Sequence, residues 1–136
     1  MTVMEAFYVR IVGDADITAR VANRIYRGFR PQVTGLPCIT FTRVDREAVQ
    51  GSTGRTGTER LRVQVDIWCE ADHDREAEAI AEALKARLDG WTNESSPAIS
   101  SCFLDSEYGN IEDEGGGATV PLSRVTQDYG VWYSAS

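Results

Sequence analysis

The stretch that decides the fold is Arg60-Leu61-Arg62-Val63-Gln64-Val65-Asp66-Ile67-Trp68-Cys69-Glu70. Every odd position is apolar, and every even position except Trp68 is polar. A β-strand points successive side chains to opposite faces, so this alternation predicts a strand with one buried face. The buried side chains would be those of Leu61, Val63, Val65, Ile67 and Cys69.

The segment that follows, residues 72–89, changes to helical periodicity. Its apolar side chains recur three or four residues apart and predict one apolar stripe on an amphipathic helix. The stripe consists of Ala77, Ile80, Ala81, Leu84 and Leu88. Asp72 or Asp74 can cap the first turn, and Gly90 can adopt the left-handed conformation just past the end. The strand and the helix can therefore bury each other's apolar faces.

The rest of the chain supplies the other elements of the same domain. Before the central strand we predict helices over residues 3–12 and about 15–22, a short strand at 24–27 and a strand at 38–44. A glycine-rich hairpin arm at about 49–58 joins the two longer strands and should be mobile, because it has little to bury. After the helix, strands at 98–107 and 122–133 flank an acidic, glycine-rich loop at about 105–118. The sequence therefore predicts one α+β domain over residues 1–136, in which helices pack on one face of a mainly antiparallel sheet of about four to five strands.

Composition excludes several classes of function. The chain has 136 residues and a net charge of −7, which fits one domain and argues against an extended nucleic-acid-binding face. No apolar run approaches the roughly 20 residues that cross a bilayer, and the N-terminus has no pattern of a secretory signal. Three widely spaced cysteines, Cys38, Cys69 and Cys102, are expected to be reduced and buried in a protein made in the cytoplasm.

Motifs for catalysis, metals and cofactors are weak or incomplete. The single histidine, His73, would have to serve any Ser/His/Asp or Cys/His set, and it begins a predicted helix, where an exposed side chain is expected. Cys and His never occur at zinc-ligand spacing, and the acidic residues at 105–114 do not follow the EF-hand pattern. Residues 51–57 contain glycines but lack the lysine and the following helix of a phosphate-binding loop. We therefore predict no catalytic, cofactor-binding or metal-binding residues.

Trp68 is the one residue that departs from the alternation, because it lies on the polar face of the predicted strand beside Arg62, Gln64 and Asp66. Two explanations stay open. A second layer, such as the N-terminal helix, can cover that end of the sheet. Alternatively, Trp68 takes part in a subunit contact, since exposed aromatic residues beside arginines are typical of interfaces.

Several motifs in order resemble the tail-completion family of long-tailed bacteriophages, also called tail terminator or head-to-tail joining proteins. An N-terminal helical region ends in Arg24-Ile25-Tyr26-Arg27-Gly28, and Leu36-Pro37 enters a strand. A glycine-rich arm leads into residues 62–69, the alanine-rich helix 77–84 follows, and the chain closes with Tyr129-Gly130-Val131-Trp132-Tyr133. The resemblance covers about residues 3–133, and only the acidic segment 105–117 has no counterpart in the family pattern.

The resemblance implies a structural virion protein without catalysis or cofactor. Such proteins form a homo-oligomeric ring, usually a hexamer, that ends the tail tube and meets the head-completion or connector protein. DNA passes through the ring without specific binding, and no membrane is involved; prophages and gene-transfer particles carry similar proteins. The expected partner interface comprises the arm, the polar strand face and the acidic loop: Ser52, Thr53, Gly54, Arg55, Thr56, Arg62, Trp68, Asp113 and Glu114. The alternatives are a small oligomeric binding module and a small enzyme of unknown chemistry.

Overall fold

A computed structural model describes residues 1–31, 35–51, 54–112 and 121–134, with only the backbone described for residues 50, 51, 54–56 and 112. This part of the chain contains three helices and five strands. They are α1 (Val3–Val12), α2 (Ala15–Val21), β1 (Ile25–Arg27), β2 (Cys38–Gly51), β3 (Gly54–Glu70), α3 (Asp74–Leu88), β4 (Ile99–Glu112) and β5 (Leu122–Ser134). None of these three helices is long and apolar enough to span a bilayer.

The five strands form one mixed sheet in the order β1-β2-β3-β5-β4. Only β1 and β2 run parallel, and the other neighbours are antiparallel. The predicted α+β class with a mainly antiparallel sheet is therefore confirmed. The central strand β3 lies between β2 and β5, which leaves β1 and β4 at the two edges.

The core lies between one face of this sheet and the helices. Leu61, Val63, Val65, Ile67 and Cys69 of β3 are all buried, as their alternation predicts. Helices α1 and α3 pack on this face, and α2 packs against both of them. The ring of Phe7 in α1 joins the layers, because it contacts the rings of Phe41, Trp91 and Tyr129 at centroid distances of 6.3, 5.9 and 6.1 Å. Burial of each such large apolar side chain contributes about 1.5–3 kcal/mol.

The helix ends agree only in part with the sequence. Gly90, just past α3, has a φ of 83°, the left-handed conformation expected there. The N-terminus of α3 differs from the prediction, because neither Asp72 nor Asp74 caps it. The N-cap is His73, which makes no side-chain capping hydrogen bond. The helix is instead held by the apolar stripe that it buries.

The strands extend further than predicted. β4 continues to Glu112, so residues 105–112 of the expected acidic loop are strand, and the rest of that loop, 113–118, lies outside the described residues. The reason is the register with β5, which pairs the two strands as far as Glu112 and Leu122. Backbone pairing with a neighbour overrides a polar, glycine-containing sequence. β2 and β3 likewise form a hairpin ladder as far as Gly51 and Gly54, within the predicted arm.

Candidate interaction surfaces

The face of the sheet opposite the helices is polar and lies on the two central strands. Register places Arg62, Gln64, Asp66 and Trp68 of β3 beside residues 124–130 of β5. We call this surface the helix-free face, since no helix of the described part of the chain packs on it. Arg62 is exposed there, and its nearer guanidinium nitrogen lies 3.9 Å from a carboxylate oxygen of Asp128.

Asp66 organises the helix-free face through three hydrogen bonds. Arg124 Nε donates to Asp66 Oδ1 at 2.9 Å, and the hydroxyl of Thr126 donates to the same oxygen at 2.6 Å. The side-chain amide of Gln64 donates to Asp66 Oδ2 at 3.0 Å. Asp66 is only 5% exposed, so these donors replace the water that a buried carboxylate would otherwise need.

Trp68 is half-buried under side chains of its own subunit. Its indole Nε1 donates to the hydroxyl of Thr40 at 3.1 Å, and the guanidinium groups of Arg30 and Arg124 lie 5.2 and 4.8 Å from its ring centroid. The idea that the N-terminal helix covers it is wrong, because α1 packs on the other face of the sheet. Cation–π contacts stabilise the ring at this end of the helix-free face. A subunit contact through Trp68 remains a prediction.

The other predicted interface residues lie in the hairpin arm and in the segment after β4. Gly54, Arg55 and Thr56 begin β3, and the backbones of Gly54 and Arg55 pair with the end of β2. Ser52, Thr53, Asp113 and Glu114 lie outside the described residues. Of the predicted residues whose side chains are described, Arg62 and Trp68 lie on the same face of β3.

His73 lies where the sequence predicts, exposed at the start of α3. Its Nδ1 is 3.8 Å from a carboxylate oxygen of Glu70, and its Nε2 is 3.9 Å from one of Asp72. These three are the one group of His, Cys, Asp and Glu side chains in the described part of the chain that is close enough to share a metal ion. All three are exposed and close in sequence, an arrangement that is common on protein surfaces without a metal ion. Asp72 and His73 line an open surface groove of about 550 Å³ with the next three residues of the chain.

The three cysteines are buried free thiols, as expected. Burial raises the pKa of Cys38 to about 11 and the pKa values of Cys69 and Cys102 to about 12. A thiol acts as a nucleophile or ligand only as thiolate, so these groups are chemically inert at neutral pH.

Exposed strand edges are expected in a small sheet, but the sequence does not show that β1 and β4 form them or that exposed apolar side chains collect there. Tyr8, Val9 and Phe29 line an open apolar groove of about 670 Å³ beside β1. At the far edge, Tyr108 and Ile111 of β4 are exposed. The position of β4 at an edge follows from the insertion of β5 between β3 and β4, which no local pattern reveals.

A signal for these edges is nevertheless present in the distribution of charge. Residues 17–44, which contain β1, include five arginines and no acidic residue. Residues 88–123, which contain β4, include seven acidic residues and no lysine or arginine. The two edge strands thus belong to segments of opposite charge, and the net charge of the whole chain conceals this.

Comparisons with known proteins agree with the order of elements. A protein-family model described as tail completion protein gp17 matches residues 5–134. No curated protein matches the chain in sequence. A chain from the virion of a native gene transfer agent (GTA) particle superposes with a TM-score of 0.76 at 16% identity, covering 97% of this chain and 94% of that chain. A second solved structure, whose name states no function, gives a TM-score of 0.52 at 17% identity and covers 94% and 92% of the two chains. At these identities the structural likenesses show the fold.

Proposed function

Because the chain belongs to the tail completion protein gp17 family, we propose that it forms a ring at the head-proximal end of the tail tube, where it ends the tail and joins it to the head connector. The family membership makes the protein a structural component of a phage-like tail. The observation that carries the proposal is the match over residues 5–134, nearly the whole chain. The GTA virion chain of the same fold supports an assembly role.

The fold suits a ring because its two sheet edges differ. β1 is a three-residue edge strand beside an apolar groove, whereas β4 is fourteen residues long. A contact between unlike surfaces is head-to-tail. It closes into a ring when the rotation that relates one copy to the next, repeated a whole number of times, completes a full turn. Six copies is the number that the family resemblance implies.

The β2–β3 hairpin is proposed to contact the tail tube or the connector. Its strands pair beyond the core as far as Gly51 and Gly54, so it projects from the main body as a ladder of two strands. The sequence of the arm includes Ser52, Thr53, Arg55 and Thr56, whose side chains carry hydrogen-bonding groups. Such an arm can gain order when a partner subunit arrives, which couples assembly to binding.

Acidic groups are proposed to face the DNA that passes through the ring. The net charge of −7 and the acidic segment that includes Asp113 and Glu114 disfavour adhesion to phosphates, so DNA can slide without specific binding. A ring whose bore is lined with arginines, and whose Asp113 and Glu114 lie outside, would contradict this part of the proposal.

No catalytic group is needed for this function, and the proposal is that the protein is not an enzyme. The enzyme alternative depends on His73, the single histidine. A His73→Ala variant is expected to support particle assembly as well as the wild type does. A binding module that stays dimeric and encloses an apolar ligand is the other alternative, and the mass of the purified assembly tests it.

Deletion of the gene from a particle-producing strain tests the proposed function directly. We expect filled heads and separate tails, or tails of irregular length, in electron micrographs, and joined particles when the wild-type gene is restored. A second strain carries a shortened arm, in which residues 49–58 are replaced by Asn-Gly between Ala48 and Glu59, a pair already in register. We expect this variant to fold but not to join the heads to the tails. Normal joined particles from the deletion strain would refute the proposed function.

A further inference from the structure

We infer that the β1 edge of one copy docks against the β4 edge of the next copy, so that the two ends of the sheet form the contact between subunits. The inference rests on the proposed ring and goes further, because it assigns the surfaces and the residues that join the copies. The occupant of each edge is thus a second copy of this chain.

The β1 edge presents an apolar surface beside an arginine. Phe29, two residues after β1, is 81% exposed, an unusual state for a large aromatic side chain. It shares the apolar groove beside β1 with Tyr8 and Val9 of α1, which are also exposed. Arg27 lines the same groove on the β1 side and Glu5 lines it on the α1 side, so Arg27 is the positive charge that β1 brings to the aromatic patch. Arg and aromatic residues together are typical of the residues that dominate protein interfaces.

The β4 edge presents the opposite combination. Ile111 and Tyr108 are 59% and 54% exposed. They border two adjoining grooves between β4 and α3, of about 450 and 380 Å³, whose rims carry Glu78, Glu82 and Glu107. By register, Tyr108 lies on the helix-free face of β4 and Ile111 on the face toward α3, so apolar side chains flank this edge on both sides. The glutamates beside them can pair with Arg27 of the β1 edge.

The second half of β4 is the part available for docking. In the first half, the backbone carbonyl of Cys102 accepts from the N–H of Gly90 at 2.7 Å, and the N–H of Leu104 donates to Asp89 Oδ1 at 3.0 Å. The connection after α3 therefore covers the edge there. Over 105–112 no equivalent cover is present in the described part of the chain. Uncovered edge strands are sites where another chain pairs.

Charge complementarity extends beyond these contacts. The β1 edge belongs to the segment 17–44, with five arginines and no acid, and the β4 edge to the segment 88–123, with seven acids and no base. A contact between two β1 edges or two β4 edges would bring like charges together. The unlike pairing places Arg27 of the β1 groove against Glu78, Glu82 and Glu107 of the β4 grooves, so electrostatics favours a head-to-tail contact over a symmetric dimer.

A mixing experiment with two single-edge variants tests the inference. Phe29→Asp disables the β1 edge, and Ile111→Arg disables the β4 edge; both positions are exposed, so folding should be kept, which circular dichroism verifies. We expect each variant alone to self-associate at least about tenfold more weakly than the wild type in sedimentation up to about 1 mM. An equimolar mixture should form one-to-one dimers and nothing larger, because each pair has one intact junction. Ala19→Glu, at an exposed position of α2, which packs on α1 and α3, is the control and should assemble like the wild type.

The outcomes separate this inference from the proposed function. If both edge variants assemble like the wild type, or if the mixture forms no dimer up to about 1 mM, the β1–β4 contact is refuted. The proposed function is then tested by the deletion strain alone, because its particle phenotype does not depend on which surfaces join the copies. If the edge variants fail in solution yet the deletion strain makes normal particles, the contact is upheld and the proposed function fails.

Discussion

Among single residues, Asp66 has the greatest influence on the helix-free face, since three donors converge on its buried carboxylate. We predict that Asp66→Ala lowers the free energy of unfolding by about 2–3 kcal/mol. The loss arises because Arg124 and Thr126 keep their positions in a confined site without their acceptor. Urea unfolding followed by circular dichroism measures it.

A matched control for this prediction is Asp16→Ala. Asp16 also pairs with an arginine, Arg20, at 3.4 Å, but the Asp16 side chain is largely exposed. Solvent screens such a pair, so the same substitution should cost less than about 1 kcal/mol. Equal losses for the two variants would show that the Asp66 network contributes no more than a surface ion pair.

The buried thiols predict a loss of stability at alkaline pH. Burial raises the pKa of Cys38 from 9.0 to about 11 and that of Cys102 from 9.0 to about 12. Below pH 9.0 the thiols are protonated in both the folded and the unfolded state. Above it the unfolded chain loses protons that the folded protein retains, so stability falls as the pH rises through 11 to 12, with a slope of up to about 1.4 kcal/mol per pH unit for each thiol.

Denaturant unfolding over this pH range measures the slope, and Cys102→Ala supplies the comparison. The variant should be less stable at neutral pH, because it leaves a small cavity, but its stability should fall less steeply above pH 9.0. The pKa of buried Tyr129 is also raised by burial, so part of the slope should persist in the variant. A slope unchanged by Cys102→Ala would contradict the assignment to this thiol.

At the scale of elements, the connection from α3 to β4 depends on Gly90. Its φ of 83° is rarely adopted by other residues, and a Cβ there would meet no atom within 4 Å. We predict that Gly90→Ala costs about 1–2 kcal/mol, all of it from backbone strain. Gly109→Ala in β4 is the control, because its φ is ordinary and the nearest atom to a new Cβ lies at 3.9 Å. This control should change the free energy of unfolding by less than about 1 kcal/mol, as thermal unfolding of both variants can show.

The elements that the sequence predicts well are those whose side-chain pattern decides their structure locally. The alternation along β3 and the stripe on α3 are determined by burial on one face, and both are found where the pattern places them. The far half of β4 is different, because Ser106, Gly109 and Asn110 have low strand preference. They are in a strand because β5 offers a continuous row of backbone partners, and that partner is distant in sequence.

The candidate surfaces also combine features that local sequence predicts with features that depend on long-range pairing. Arg62 and Trp68 can be placed on one face by counting residues along β3, and the structure agrees. The arginines over Trp68 come from residues 30 and 124, which only the assembled sheet brings together. The edges could be found only once β5 was known to lie between β3 and β4, since strand order depends on long-range pairing.

At the scale of the whole molecule, the two faces of the sheet stabilise the fold, and its two edges are the surfaces proposed for association. One face of the sheet holds the core under three helices, and the other is satisfied by its own polar network around Asp66. Several of the exposed large apolar side chains in the described part of the chain lie at the edges of the sheet, including Phe29 at one edge and Ile111 at the other.

This arrangement predicts how association depends on salt. Two forces of opposite sign act between copies: a net charge of −7 repels over long distances, and the basic β1 edge attracts the acidic β4 edge over short ones. At about 0.01 M salt the screening length is about 30 Å and the whole charge is felt, whereas at about 0.1 M it is about 10 Å and neighbouring groups dominate. The association constant should therefore rise from about 0.01 to 0.1 M salt and fall again towards about 1 M, as sedimentation can measure.

An Arg27→Glu variant should lose the fall in the association constant at high salt, because it lacks the attraction that salt screens. A steady rise across the whole range in the wild type would mean that the contact is apolar alone and that the charge segregation along the chain has no part in it.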